Sequence, residues 1–140
     1  MRTLGIDFGT KRVGLAICDE LGIVVSPRAT VAYSRTVVDQ IARMVEAEDI
    51  ARIVVGVPTT RDGAETLTVR QARNFAARLR ARVTCVVDEW DESFSSVRAS
   101  ERMLEVGIPK ERRRQKGTTD SWAAAIILEE YLAALRNQQS

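Results

Sequence analysis

Thr3-Leu4-Gly5-Ile6-Asp7-Phe8-Gly9-Thr10-Lys11-Arg12-Val13-Gly14-Leu15-Ala16-Ile17-Cys18-Asp19 is the stretch on which the fold turns. Leu4, Ile6 and Phe8 alternate with Thr3, Gly5 and Asp7, the period-two pattern of a β-strand over residues 3–8. Gly9 to Arg12 has the composition of a turn, and Val13 to Asp19 reads as a second strand. Leu21-Gly22 turns the chain again, and Ile23-Val24-Val25-Ser26 is expected to form a third strand that ends near Pro27. Connections this short join antiparallel neighbours, so the chain opens as a meander.

The period then changes. Val37, Val38, Ile41, Met44 and Val45 recur at helical spacing from about 34 to 48. The run from Ile50 to Val57 is almost continuously apolar, as in a strand buried on both faces. A helix is expected over about 65–80, a fifth strand over 83–89 and a third helix over 93–105. A basic loop spans 107–117, framed by Gly107 and Gly117. A last helix covers about 118–135, and its Trp122 to Leu128 stretch is apolar all round, so heavy burial is expected. The order β-β-β-α-β-α-β-α, closed by that helix, implies an α/β domain with a mixed five-stranded sheet, antiparallel meander then parallel strands, and helices on both faces. That is the order of the RNase H-like fold. One domain is expected over residues 1–136, with a polar tail at 137–140.

Composition narrows the chemistry. The 140 residues are 45% hydrophobic and 29% charged, ordinary for a globular chain. No segment approaches the ~20 apolar residues of a membrane span and no signal-peptide pattern opens the chain, so a cytoplasmic place with no membrane partner is expected. Cys18 and Cys85 lie in apolar runs, as buried small hydrophobes do. Histidine is absent. That removes Ser-His-Asp and Cys-His catalysis, histidine-ligated zinc and histidine general bases. Hydrolysis would have to rest on carboxylates, lysine or a metal held by oxygen, which suits Mg2+ or Mn2+.

Three acidic positions stand out. Asp7 is a carboxylate among Leu4, Ile6 and Phe8, and burying it is costly unless it is paired or ligates a metal; the alternative is an edge position or a hydrogen bond within the Gly9 turn. Lys11 and Arg12 follow it, placed to pair with Asp7 or to reach substrate phosphates. Asp88-Glu89-Trp90-Asp91-Glu92 brings four acids to the end of the fifth strand, where ligands of α/β sheets bind. Alternation puts Glu89 and Asp91 on one side, Asp88 and Glu92 on the other. Asp120, near the start of the last helix, is either a cap or a ligand; it shares a face with Ala124 and Ile127. Two divalent ions roughly 3.5–4 Å apart, held by a few carboxylates, are sufficient for phosphodiester hydrolysis.

Basic residues are concentrated as well. Lys110 to Lys116 holds five basic residues and one acid, so the rest of the chain carries a net −2 against an overall +2. Arg112, Arg113, Arg114 and Lys116 are therefore expected to contact phosphates, together with Lys11, Arg12 and Arg61.

These residues also carry a resemblance. Gly5-Ile6-Asp7-Phe8-Gly9-Thr10-Lys11 resembles the opening motif of the YqgF family, also called RuvX-like proteins. Ile53 to Pro58 followed by Asp62-Gly63 resembles its second motif, Asp91-Glu92-Ser93 its Asp-Glu-Arg, and Asp120 with Ala123-Ala124 through Leu128 its last. The similarity covers nearly the whole chain. It implies an RNase H-like fold, a nuclease role in maturing the 5′ end of small-subunit ribosomal RNA, and an acidic, metal-holding site of Asp7, Glu92 or its neighbour Asp91, and Asp120. The family is also similar to Holliday-junction resolvases, whose second acid lies on the fourth strand, where this chain has Val55-Gly56-Val57. Ser93 stands for the family's arginine, Phe94-Ser95-Ser96 for its Leu-Thr-Thr, and Thr59-Thr60-Arg61 for its usual Leu-Asn-Met.

The expected partner is structured RNA or DNA. Two other readings remain: a junction or other DNA-structure nuclease, and a non-catalytic nucleic-acid-binding module using the basic loop with Arg70 and Arg73. Sugar kinases and actin-like ATPases share a glycine-bounded aspartate in the first strand but need two large lobes. A homodimer is left open, as no coiled-coil pattern exists.

Overall fold

The computed structural model describes residues 1–58, 65–92 and 95–138. Strands β1 (Thr3–Asp7), β2 (Arg12–Cys18) and β3 (Val25–Ala32) come first, followed by α1 (Val37–Ala47), β4 (Arg52–Pro58), α2 (Leu67–Arg82), β5 (Val86–Glu92), α3 (Ser95–Glu105), α4 (Lys110–Arg113) and α5 (Lys116–Gln138). One sheet orders them β3-β2-β1-β4-β5. Strand β1 is antiparallel to β2 and parallel to β4, and β5 extends the parallel half. The expected mixed sheet is present, with helices on both faces.

Alternation along the strands divides the core. Leu4, Ile6, Leu15, Ile53 and Val55 turn to one face and pack against Val37 and Ile41 of α1 and Phe75 and Leu79 of α2. Ala16, Cys18 and Val54 turn to the other and meet Ala124, Ile127, Leu128 and Tyr131 of α5. Helix α5 lies between the sheet and α3, so Ala123 to Leu128 are all buried. That sandwiching explains its all-round apolar stretch. Close approach is possible because β1 offers no side chain below it: a Cβ at Gly5 would lie 2.8 Å from the Cβ of Leu128. On the outer side, α3 is tied to α5 by Arg98–Glu130 and Arg102–Glu129 ion pairs, each 2.9 Å.

The structure departs from the sequence expectations in four places. Strand β3 does not end at Pro27 but runs on to Ala32, with Pro27 opposite Ala16. It is an edge strand, where the missing N–H of proline costs no ladder bond. Strand β5 starts later and ends later than expected, because its register against β4 runs from Arg52↔Val86 to Pro58↔Glu92; the acid-rich segment is itself strand. The basic segment is only partly a loop: Lys110–Arg113 form α4, and Lys116 and Gly117 begin α5. Helix α5 also continues through Asn137 and Gln138 of the expected tail. Among the described residues no helix is long and apolar enough to cross a membrane. Cys18 is buried, Cys85 half-buried, and both are free thiols.

Candidate active site

Asp7 is the last residue of β1, and its position decides the site. Its cross-strand partners are Gly14 in β2 and Gly56 in β4. Residues paired across a sheet share a face, so Asp7 has no side chain beside it on either flank. Other parts of the chain fill both gaps. At Gly14 the backbone of Asp120 comes so close that a Cβ would stand 2.2 Å from its carbonyl oxygen. At Gly56 a Cβ would meet Ile127 Cδ1 at 2.5 Å and Glu92 Cγ at 3.4 Å. The carboxyl ends of β1 and β5 and the first turns of α5 thus bring Asp7, Glu92 and Asp120 to the same end of the sheet, the latter two within electrostatic reach of Asp7.

Electrostatics report the same convergence. Burial first, then the like charges of Glu92 and Asp120, push the Asp7 carboxyl up to about 7. Its neighbours are held by other groups. Arg12 donates from Nε to Asp120 Oδ2 at 2.9 Å, so this arginine pairs with Asp120 rather than with Asp7. Ser95 Oγ donates to Glu92 Oε2. Lys11 is exposed, and its carbonyl accepts from the Tyr33 N–H at 2.9 Å.

The acids of β5 separate as alternation requires. Asp88 accepts from Tyr131 and from Arg52 on the α5 face. Glu89 pairs with Arg73 at 3.4 Å and with Arg80 at 3.1 Å on the opposite face. Asp91 stands opposite Val57, which packs against α2, and is exposed on that side, away from Asp7. Between Asp91 and Glu92, only Glu92 joins the cluster. Splitting the acids between two faces, with arginine or hydroxyl partners on each, relieves the repulsion that a run of four would otherwise suffer.

The basic segment is divided too. Arg112 lies toward β3, whereas Lys110, Arg113 and Arg114 border a depression with Met103 and Leu104 of α3. Arg113 is half-buried and donates from Nε to the Ile108 carbonyl at 3.0 Å. Lys116 is exposed at the start of α5. Arg61, Asp62 and Gly63 lie outside the described residues, as do Ser93 and Phe94.

Sequence reading missed Gly14, Gly56 and Ser95. A lone glycine inside an apolar strand is a signal of close backbone approach, and both glycines carried it. Gly56 also bears on the missing acid of the fourth strand: a side chain there would collide with Ile127, and Glu92 enters beside it from β5 instead.

The donor set suits a hard divalent cation, being all carboxylate oxygen around Asp7, whose carboxyl burial first and like charges second raise to about 7. Among the described residues no group of three acids is arranged to hold a metal ion as it stands. Asp120 is turned to Arg12 and Glu92 to Ser95, so those two side chains would have to re-aim.

The sheet order and the acids at the carboxyl ends of its strands define an RNase H-like protein. The chain belongs to the RuvX family, whose model, described as Holliday junction resolvase, matches residues 1–134. It is 38% identical to a Syntrophus aciditrophicus protein named "Putative pre-16S rRNA nuclease", over 99% of this chain and 93% of that one. A Maridesulfovibrio salexigens protein of the same name is 44% identical over 95% of this chain and 98% of its own length. Among solved structures, Thermus thermophilus RuvC in complex with a Holliday junction substrate superposes with a TM-score of 0.62 at 18% identity, covering 98% of this chain and 96% of that one. The fowlpox virus Holliday junction resolvase has a TM-score of 0.58 at 13% identity, over 96% and 99% of the two chains. At these identities the likeness is one of fold.

Proposed function

We propose that this chain is a metal-dependent nuclease that hydrolyses phosphodiester bonds in structured RNA, its substrate being the 5′ extension of the small-subunit ribosomal RNA precursor. The observation that carries the reading is the meeting of Asp7, Glu92 and Asp120 around two glycines at the carboxyl ends of the strands. The names of the full-length relatives support the RNA substrate.

Asp7, Glu92 and Asp120 are the residues that would hold Mg2+ or Mn2+, and the bound ions supply Lewis-acid polarisation of the phosphoryl oxygens and an activated water. Asp7 would supply an oxygen ligand from the end of β1, its carboxyl raised to about 7 by burial and then by the charges of Glu92 and Asp120. Arg12, partly exposed beside Asp120, is the cation positioned to accompany a phosphate entering the site. Ser95 orients Glu92 from the first turn of α3. No histidine is available to move protons.

The family description favours one further reading, cleavage of four-way DNA junctions. Purified protein should be offered a 5′-extended 16S rRNA precursor fragment and a four-way junction, each with Mg2+, Mn2+ or EDTA. Metal-dependent cleavage of the RNA that is lost in Asp7→Asn supports the proposal. Cleavage of the junction alone supports the second reading, and tight binding with no cleavage of either would leave a binding module.

A further inference from the structure

Beside the acids, between β3 and the corner of α4 and α5, runs an open groove of about 360 Å3. Arg28, Thr30, Arg112, Gln115, Thr118 and Trp122 line it. Their chemistry is uneven in a telling way. Arg28 is engaged with Glu48, donating to both carboxylate oxygens at 2.6 and 3.3 Å. Arg112 is exposed and, among the described residues, forms no ion pair. Trp122 is half-buried, anchored on the Ala99, Ala123 and Ile126 cluster, with the rest of its indole at the groove. The hydroxyls of Thr30 and Thr118 and the Gln115 amide add hydrogen-bonding groups to the wall. An uncommitted guanidinium, a fixed aromatic surface and hydrogen-bonding groups are what a protein uses to hold an unstacked nucleotide.

Position links the groove to the acids. Ser121, which also lines it, follows Asp120 in the chain and is pinned by a hydrogen bond from Oγ to the Arg28 carbonyl. Strand β3 lies two places from β1, about 10 Å at the usual strand spacing, within reach of one nucleotide chain crossing both. The volume is near the lower end for small-molecule sites and would admit a single nucleotide.

We infer that this groove binds an unpaired nucleotide next to the scissile phosphate, with the base against Trp122 and the phosphate on Arg112. The inference rests on the nuclease reading above and adds to it that the substrate has a single-stranded flank.

The test is binding in EDTA, so that no cleavage is required, using end-labelled duplexes with a short single-stranded overhang or blunt ends, each made as RNA and as DNA. Trp122→Leu and Arg112→Ala should each weaken the overhang duplex by at least about fivefold, given typical base–aromatic stacking, and change the blunt duplex less than twofold. Trp122→Phe, which keeps a ring, should retain most of the preference and guards against a mere packing defect. In Trp90→Phe protein, Trp122 is the remaining tryptophan, and a short single-stranded oligonucleotide should quench its emission where a blunt duplex does not. Equal losses on both duplexes, no loss, absence of quenching, or no binding of either oligonucleotide would each overturn the inference. An equal loss from Arg112→Ala alone would mean a simple anion contact. Comparison of the RNA and DNA arms shows which sugar the groove prefers. The nuclease reading fails separately, if parent protein with Mg2+ or Mn2+ shows no cleavage dependent on Asp7 while the overhang preference persists.

Discussion

Arg12 Nε and Asp120 Oδ2 lie 2.9 Å apart across 108 residues of chain, joining the start of β2 to the start of α5 at the edge of the acidic site. A guanidinium in that place does electrostatically what a metal ion would do: it neutralises one carboxylate of a crowded set. A metal held as proposed would therefore compete with this pair for Asp120. Arg12→Gln should bind Mn2+ more tightly, so that its melting temperature begins to rise at lower metal concentration than in the parent. Both side chains are about one-third exposed, so the metal-free variant should lose no more than about 1 kcal/mol. An unchanged metal titration would remove the competition.

Asp7 predicts a pH dependence of opposite sign to that of a salt-bridged aspartate. Its carboxyl is raised from 3.8 to about 7. The associated stability is fully present below pH 3.8, where both folded and unfolded chains are protonated, and is lost as pH rises through about 7. Metal-free protein should therefore melt several degrees lower at pH 8 than at pH 5.5 by this contribution. Asp7→Asn should flatten that dependence and be more stable than the parent at pH 8. Saturating Mg2+ should also flatten it, because the cation favours the ionised acid. Calorimetry at pH 6 should detect proton release on metal binding that disappears at pH 8.5. A parent protein as stable in alkali as the variant would rule out the raised carboxyl.

Glu92 and Asp91 are neighbours with opposite expectations. Glu92→Gln should lower cleavage by more than the roughly 10–100-fold typical of losing a group that only orients a ligand. Asp91→Asn, on the α2 face, should stay within about twofold of the parent in single-turnover rate. Reversal of that order would place the wrong acid in the site.

The two glycines beside Asp7 should differ in tolerance. An alanine at Gly14 would press on the backbone carbonyl of Asp120 at 2.2 Å, whereas one at Gly56 meets the flexible end of Ile127 at 2.5 Å. Overpacking of this kind costs about 1–3 kcal/mol. Chemical denaturation should show Gly14→Ala as the more destabilised of the two, and a greater loss in Gly56→Ala would contradict the contacts described.

The arginines of the basic segment should not act alike. On a duplex with a single-stranded overhang, Arg112→Ala and Arg114→Ala should each flatten the slope of log K against log salt by about 0.7–0.9 if each releases a counterion from phosphate. Arg113 is turned to the Ile108 carbonyl, so Arg113→Ala should lower thermal stability with little change of slope. Three equal slope changes would mean that the segment presents a single phosphate-binding face.

Much of this architecture could be read along the chain because it is local. The alternation around Asp7 made a strand, the helical period of Val37 to Val45 made α1, and short turns forced the meander; each pattern is written within a few residues, where sterics and side-chain direction act directly. Asp7 and Asp120 were nameable for the same reason, as carboxylates at places where a lone charge is costly. Glu92 was one of four acids at a strand end, which the family resemblance narrowed to Glu92 or Asp91. Tertiary structure decided the rest. Asp91 and Glu92 are equivalent in composition, and only the register of β5 on β4 turns one toward Asp7 and the other away. Pro27 reads as a stop until β3 is known to be an edge. Arg12 reads as a partner for Asp7 until α5 brings Asp120 to it from 108 residues away. Gly14 and Gly56 look like weak points in two strands, and their purpose is visible only once α5 and Glu92 occupy the space they leave. Local periodicity determines which faces an element can bury; which charges then meet depends on register and on close approach between distant segments, and neither is encoded in any short window of the chain.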